Sequence, residues 1–454
     1  MRKIIILFLL FCSITSVNAQ CWQSVSAGLY TTFAIKNDGT LWACGGNFGA
    51  QLGDGTTTDK NFFIQIGNDT NWKSVSAGGS HTIALKTNGT LWTWGYNGMG
   101  QLGDGTYVNK LVPTQVGFDN DWKIISATYW SNLALKNNGT LWAWGDNNNY
   151  GQLGDGTLVD KNIPTQIGTD TDWLKISAGP THSLAIKNNG TLWVWGYNGA
   201  GQFGNGNNTD SYVPIQVGTD TNWKNALASD YNSLALKTNG TIYSCGEGYF
   251  GELANGSTND LNIFTQIGTQ NDWEEIGVGM DNSIAIKTNK TLWISGHNIY
   301  GMLGNGTTIQ SNNFIQVGSD TNWQFATIGE YHTIALKNDQ SLSTWGYNFY
   351  GELGNGTNTT SLLPLDINCP LMNIDSHEKL SFSIYPNPIE SVLNIVSNDS
   401  VKVENVVIYD LLGKVIIEQK QIENQINVQN LNSGIYIVAV TKAGKTFFAK
   451  IVKK

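Results

Sequence analysis

Seven tryptophans, Trp22, Trp72, Trp122, Trp173, Trp223, Trp273 and Trp323, follow one another at intervals of 50, 50, 51, 50, 50 and 50 residues. Each opens a unit written like the second one, "NWKSVSAGGSHTIALKTNGTLWTWGYNGMGQLGDGTYVNKLVPTQVG". A strand-forming unit of this length cannot bury its own apolar face. It must stack against copies of itself, as a solenoid or a closed propeller does.

Apolar and polar positions alternate within the unit, which predicts strands. "KSVSAG" reads as a first strand and "HTIALK" as a second. "TNGT" reads as a turn that meets the need for positive φ with Asn and Gly. "LWTWGYN" is a third strand, and "PTQVG", after the glycine-rich "GQLGDGT", a fourth. Pro113, Pro164, Pro214 and Pro364 are expected to begin that fourth strand, at an edge where no ladder N–H is needed. Four strands repeated seven times predict an all-β, seven-bladed β-propeller. Sixteen of the 17 Trp occupy three positions of the unit, so they read as packing; Trp130 alone is off the template.

These residues carry a resemblance. "SAGGSHTIALKTNGTLWTWGYNGMGQLGDG" is similar to the repeat of the regulator of chromosome condensation family, with its order GxLxxWGxNxxGQLGxG, over residues 21–368. The resemblance implies a seven-bladed propeller. A kelch propeller has a similar period, but its adjacent glycine pair is missing. Later units depart from the pattern at Ala254, Lys290 and Gln340, which stand where glycine is expected.

The ends of the chain speak of export. Arg2 and Lys3, an apolar run from Ile4 to Phe11, and Val17-Asn18-Ala19 form a signal peptide over residues 1–19. No later run is apolar enough to span a bilayer. The propeller is expected over residues 20–370, a linker over 371–379 and a small β-sandwich over 380–454. In that tail Tyr385-Pro386-Asn387-Pro388, Gly413-Lys414, Gly434 with Tyr436, and Lys450 and Lys453 of the terminal "KIVKK" resemble the C-terminal sorting domain of the type IX secretion system. The resemblance implies a Bacteroidota source, contact with that secretion machinery, and a destination outside the cell or on its outer surface. Aligning the last unit with the first sets Cys369 across a turn from Cys21, and a disulfide between them is expected to staple the ring. Cys44 and Cys245, in blades that are not neighbours, read as buried thiols.

Charge excludes one class of partner. Residues 20–373 hold 15 Lys against 27 Asp and Glu, and Arg2 is the sole arginine. Such a domain lacks the guanidinium groups that grip phosphates, so no nucleic-acid partner is expected. Chemistry is equally sparse. His81, His182 and His332 share a slot filled elsewhere by Thr31, Ser131, Asn232 and Asn282, which points to a hydrogen bond and not to a general base. His297 and His377 stand alone. Asp54, Asp104 and Asp155 become Asn205, Asn255, Asn305 and Asn355 in later units, as an Asx-turn allows and a cation site does not. No converging acid pair is visible. No metal, no cofactor and no catalytic residue are expected, and a monomer is.

What remains is a face. Strand directions put the loop after "SAG" and the loop after "WGxN" at one end of every blade. That end varies and is aromatic: Tyr30, Tyr129, Trp130, Tyr231 and Tyr331 in the first loop; Tyr96, Tyr197, Tyr249, Phe250, Tyr300 and Tyr350, with Phe48, Tyr150 and Phe349, in the second. Aromatic side chains on a rigid rim suit recognition. A non-enzymatic binding protein is expected, taking an extracellular protein or a surface polysaccharide. Alternatives are guanine nucleotide exchange, the activity of the family's eukaryotic namesake, and inhibition of a foreign enzyme, as in propellers that inhibit β-lactamases. About half of these rings are expected to pack on neighbouring loops.

Overall fold

The computed structural model describes residues 21–147, 149–367, 382–397, 403–410, 415–420, 425–442 and 445–454; the signal peptide, the linker and Cys369 lie outside the described residues. Chain contacts divide it into two units, meeting between Cys369 and Pro370. The first holds seven four-stranded antiparallel sheets, each contiguous in sequence. Blade 2 is typical, with strands Trp72–Ala77, His81–Lys86, Leu91–Gly95 and Lys110–Gln115.

Burial explains the residue choice along each strand. The second strand is buried at all six positions in every blade, because a blade is sandwiched between two others. A strand covered on both faces has to be apolar throughout or satisfy its polar groups internally. The slot residues do the latter. His81 Nε2 lies 2.8 Å from Asn132 Oδ1, His182 Nε2 2.8 Å from Ser233 Oγ, and His332 Nε2 2.9 Å from Thr32 Oγ1, each partner belonging to the next blade. Burial holds these imidazoles well below their usual pKa, at about 4, 3 and 4. They are neutral inter-blade pins.

Tryptophans stitch the same seams. Trp94, Trp144, Trp195 and Trp345 donate Nε1–H to the carbonyls of Gln51, Gln101, Gln152 and Met302 of the preceding blade, at 2.7–3.0 Å. In blades 1 and 5 the thiols of Cys44 and Cys245 face the equivalent carbonyls of Glu352 and Gln202. Both thiols are free and buried. Where the indole is lost, its volume is replaced within the blade: Cys44, Cys245 and Ser295 coexist with Phe63, Phe264 and Phe314, whereas the four Trp coexist with Pro113, Pro164, Pro214 and Pro364. The three Phe rings lie 5.2–5.4 Å from the opening Trp of their blades, the place the indole takes elsewhere.

The prolines require a correction. They do not begin the fourth strand, which starts three residues earlier. The ladder between third and fourth strands shifts register there, as between Thr93 and Gly95, so Pro113 sits opposite an irregularity that asks for no N–H. Ala254 stands where most blades have glycine. Its counterparts Gly53 and Gly103 lie so close to Trp94 and Trp144 that a Cβ would stand 2.6 and 2.8 Å from the indoles. Ala254 faces a blade carrying Ser295 in place of Trp, keeps the positive φ of the glycines it replaces, 53°, and shares a buried cluster against which Phe314 packs.

Lys36, Lys86, Lys136, Lys187, Lys237, Lys287 and Lys337 are buried at the turn end, although the turns beside them are exposed. Lys86 Nζ lies 4.8 Å from the Trp72 ring, 3.6 Å from the Trp92 ring and 2.8 Å from Asp69 Oδ2. Cation–π contact and an ion pair satisfy a cation that could not otherwise be buried.

The ring closes by repeating its own inter-blade bonds. Trp22 N donates to Gln340 O at 3.3 Å, as Trp72 N does to Gly39 O at 3.1 Å. Cys21 is disulfide-bonded. Its expected partner, Cys369, lies outside the described residues.

In the second unit a three-stranded sheet and a four-stranded sheet share one apolar core, including Leu393, Ile395 and Ile426 from one and Val406, Ile408, Val438 and Ile451 from the other. That is a β-sandwich. Among the described residues no helix is long and apolar enough to cross a membrane.

Candidate functional site

The two loops sit together at one end of each blade, tied by Gly46 N to Tyr30 O at 2.7 Å and Tyr96 N to Ser80 O at 2.8 Å. The first strands face the axis, and a cavity of about 300 Å³ runs between them, lined by Ser26, Ser76, Ser126 and Ser177 among others. The aromatic loops surround its mouth.

The rings are not scattered. An arc of edge contacts crosses blades 6, 7 and 1: Tyr300 to Tyr331 at 5.2 Å, Tyr300 to Tyr347 at 4.8 Å, Tyr347 to Tyr350 at 6.4 Å, Tyr350 to Tyr30 at 5.2 Å, and Tyr30 to Phe48 at 6.3 Å. Phe349 leans on Tyr350 at 5.1 Å and is 64% exposed. Three smaller groups complete the face: Tyr150, Tyr197 and Tyr231; Tyr96 with Trp130 at 5.6 Å; and Tyr249 with Phe250 at 4.9 Å. Edge-to-face pairs hold each other rigid, so this surface is already ordered. Tyr129 is separate. Its hydroxyl reaches from blade 3 to Met280 Sδ of blade 6, 3.4 Å away, barring the mouth.

Two readings of the sequence are overturned here. Carboxylates do converge: Asp230 and Glu330, from the first loops of blades 5 and 7, line the cavity, and both, with Glu247, act on Asp281 of the first loop of blade 6. Burial, reinforced by these like charges, raises Asp230 to about 6 and Asp281 to about 7. Asp230, Asp281 and Glu330 lie some fifty positions apart in sequence, so only the side-by-side stacking of successive blades brings them together. Nor is His297 alone. It stacks on Phe250 at 4.3 Å and lies 3.8 Å from Asp281, while burial lowers its pKa. Tyr347, central to the arc, was also missed.

Nothing here assembles a metal centre: among the described residues no group of three His, Cys, Asp or Glu could hold an ion. Asp54, Asp104 and Asp155 close Asx-turns on Thr56, Thr106 and Thr157 and pair with Lys60, Lys110 and Lys161 at 3.0–3.2 Å. His377, Gly413 and Lys414 lie outside the described residues. Of the other sorting residues, Asn387 is the best anchored. Its side chain donates to Lys450 O at 3.0 Å and accepts from Val452 N at 2.8 Å, zipping Tyr385-Pro386-Asn387-Pro388 to the terminal strand. Tyr436 O–H donates to Asn432 O, and Lys453 is buried.

Comparison with known proteins matches this geometry. Residues 38–85, 88–135, 138–186 and 189–236 match the regulator of chromosome condensation repeat, and a second description of that repeat matches 22–51, 72–101, 122–152 and 173–202. Residues 383–454 match a secretion system C-terminal sorting domain. Human WBSCR16 superposes with a TM-score of 0.65 at 19% identity, covering 73% of this chain and 95% of its own. Prp20p of Saccharomyces cerevisiae does so with a TM-score of 0.65 at 17% identity, covering 80% and 90%. At such identities the likeness speaks for the fold. Ulvan lyase NLR42 of Nonlabens ulvanivorans is 36% identical over 85 residues, and beta-agarase D of Zobellia galactanivorans 42% over 76, spans of 18% and 16% of this chain. The chain covers only about one sixth of the length of these two curated relatives, 16% and 15%. The protein is a β-propeller of regulator of chromosome condensation repeats that ends in a type IX secretion sorting domain.

Proposed function

We propose that this is a non-enzymatic binding protein, carried out of the cell by its sorting domain, which engages an extracellular partner through the aromatic loop face. One observation carries the reading: rings from blades 6, 7 and 1 form a continuous, partly exposed arc on one end of a rigid scaffold, beside a mouth where the repeat is least uniform. Repeat positions that obey the common pattern are explained by packing. Departures in the core, such as Cys44 with Phe63, are offset by a second change, whereas the aromatic and acidic departures of the loop face are not. The sorting domain supplies the encounter with the secretion machinery, and the propeller is its cargo.

The test uses the full chain and its Phe349→Ala, Tyr249→Ala double variant, immobilised and exposed to proteins and polysaccharides from the native surroundings. Both side chains are well exposed, so the variant keeps its fold. Partners held by the parent and lost by the variant support the reading; identical capture by both removes it. The converging carboxylates favour one second reading, hydrolysis of a polysaccharide. It predicts new reducing ends that vanish in Glu330→Gln.

A further inference from the structure

Three observations coincide on one sector of the loop face. The aromatic arc crosses blades 6, 7 and 1 there, with Phe349 open to solvent. At its inner edge Glu330 lines the cavity and its N–H donates to Leu29 O of blade 1 at 3.3 Å; burial, and then Glu330 itself, raise the pKa of the Tyr30 and Tyr331 hydroxyls. Glu330 Oε2 is shielded from solvent and has no hydrogen-bond partner. Beside it the charges acting on Asp230 and Asp281 are carboxylates, and His297, 3.8 Å from Asp281, has its pKa lowered by burial. Lys60, Lys110 and Lys161, at the starts of outer strands, are already taken by Asp54, Asp104 and Asp155.

Resting on the loop-face reading, we infer that this sector docks a protein whose contact segment presents a basic side chain. Its apolar stem lies across the arc and its cation reaches Glu330 and Asp281 at the mouth. Charge complementarity selects this occupant. A neutral sugar chain would cover the rings while leaving the carboxylates desolvated and uncompensated, which is costly. An acidic polysaccharide would add to the repulsion. A lysine or arginine answers both halves of the surface, since its stem packs on aromatic rings and its head pairs with carboxylates. Arginine fits best, because its planar guanidinium stacks on aromatic rings and pairs bidentately with a carboxylate.

The test takes the full chain and cyclised hexapeptides that differ only at the turn, bearing arginine, its neutral isostere citrulline, or glutamate, titrated calorimetrically. The arginine peptide should bind about tenfold more tightly than the citrulline one, and added salt should shrink the gap. Glu330→Gln with Asp281→Asn should abolish the preference without loss of folding, since it relieves like-charge repulsion. Phe349→Ala should weaken both peptides alike. Equal binding of arginine and citrulline, a preference unchanged in the amide variant, or no binding at millimolar peptide would overturn the inference. So would tighter binding of agaro- or amino-sugar oligosaccharides. Binding that ignores charge yet falls in Phe349→Ala sinks this inference while the loop-face reading stands; binding blind to both sinks both.

Discussion

The exchange of Trp against Phe offers a direct probe of how the blades are filled. In blade 1, Cys44 and Phe63 are buried, Phe63 lies against Trp22 at 5.2 Å, and a Cβ on Gly354 would stand 2.6 Å from the Phe ring and 2.8 Å from the thiol. The space is full. Phe63→Pro alone empties it of a phenyl ring and should cost about 3–4 kcal/mol, as large-to-small changes in cores do. Cys44→Trp alone drives an indole into the volume the phenyl occupies, at about 3 kcal/mol or more of overpacking. Made together, they reproduce the pair Trp94 and Pro113 of blade 2. The new indole could then donate to Glu352 O as Trp94 donates to Gln51 O at 2.8 Å. The double variant should return to within about 1 kcal/mol of the parent, a coupling well above the usual range for neighbours. Urea unfolding of all four full chains, followed by circular dichroism with the Cys21 disulfide intact, reads the midpoints. Additive losses would mean that Phe63 and the missing indole do not share one volume, and the packing argument would fail.

Two further outcomes follow from single side chains. Glu352 is buried at a position that blades 1 to 4 fill with Gln51, Gln101, Gln152 and Gln202, and burial raises it from 4.5 to about 7. Because the folded pKa is the higher one, the parent is unpenalised below about pH 4.5 and loses stability as pH rises towards 7. Glu352→Gln should match it at pH 4 and exceed it by on the order of 3 kcal/mol at pH 8, read as thermal midpoints across pH; parallel profiles would refute this. In the tail, Asn387→Ala removes two hydrogen bonds to the last strand, at about 1 kcal/mol each. Faster hydrogen exchange at the Val452 amide and less exported protein are expected, and unchanged exchange would deny Asn387 its clamping part.

Why some of this was readable and some not comes down to the direction of reading. Strands, turns and blade number follow from alternation along the chain, and seven copies average away local accidents; the hydrogen-bonding role of His81 was visible because Thr, Ser and Asn replace it elsewhere, but not that its partner, Asn132, belongs to the next blade. The mouth is invisible along the chain. Asp230, Asp281 and Glu330 sit in short loops and carry no motif of their own. They form a cluster only because first strands stand side by side around an axis, so that residues one repeat apart become neighbours. Comparing units position by position would have revealed it, since Leu29, Gly79, Tyr129 and Pro180 of blades 1 to 4 give way to Asp230 and Glu330 in blades 5 and 7. The same comparison exposes Phe63, Phe264 and Phe314, which look like ordinary strand residues until set beside the Trp they replace. In a closed repeat the informative neighbour of a residue is its counterpart one unit away: deviations that a second deviation offsets are packing, as with Cys44 and Phe63, and deviations left unoffset, as with the carboxylates of the mouth, mark where the proposed partner would complete the surface.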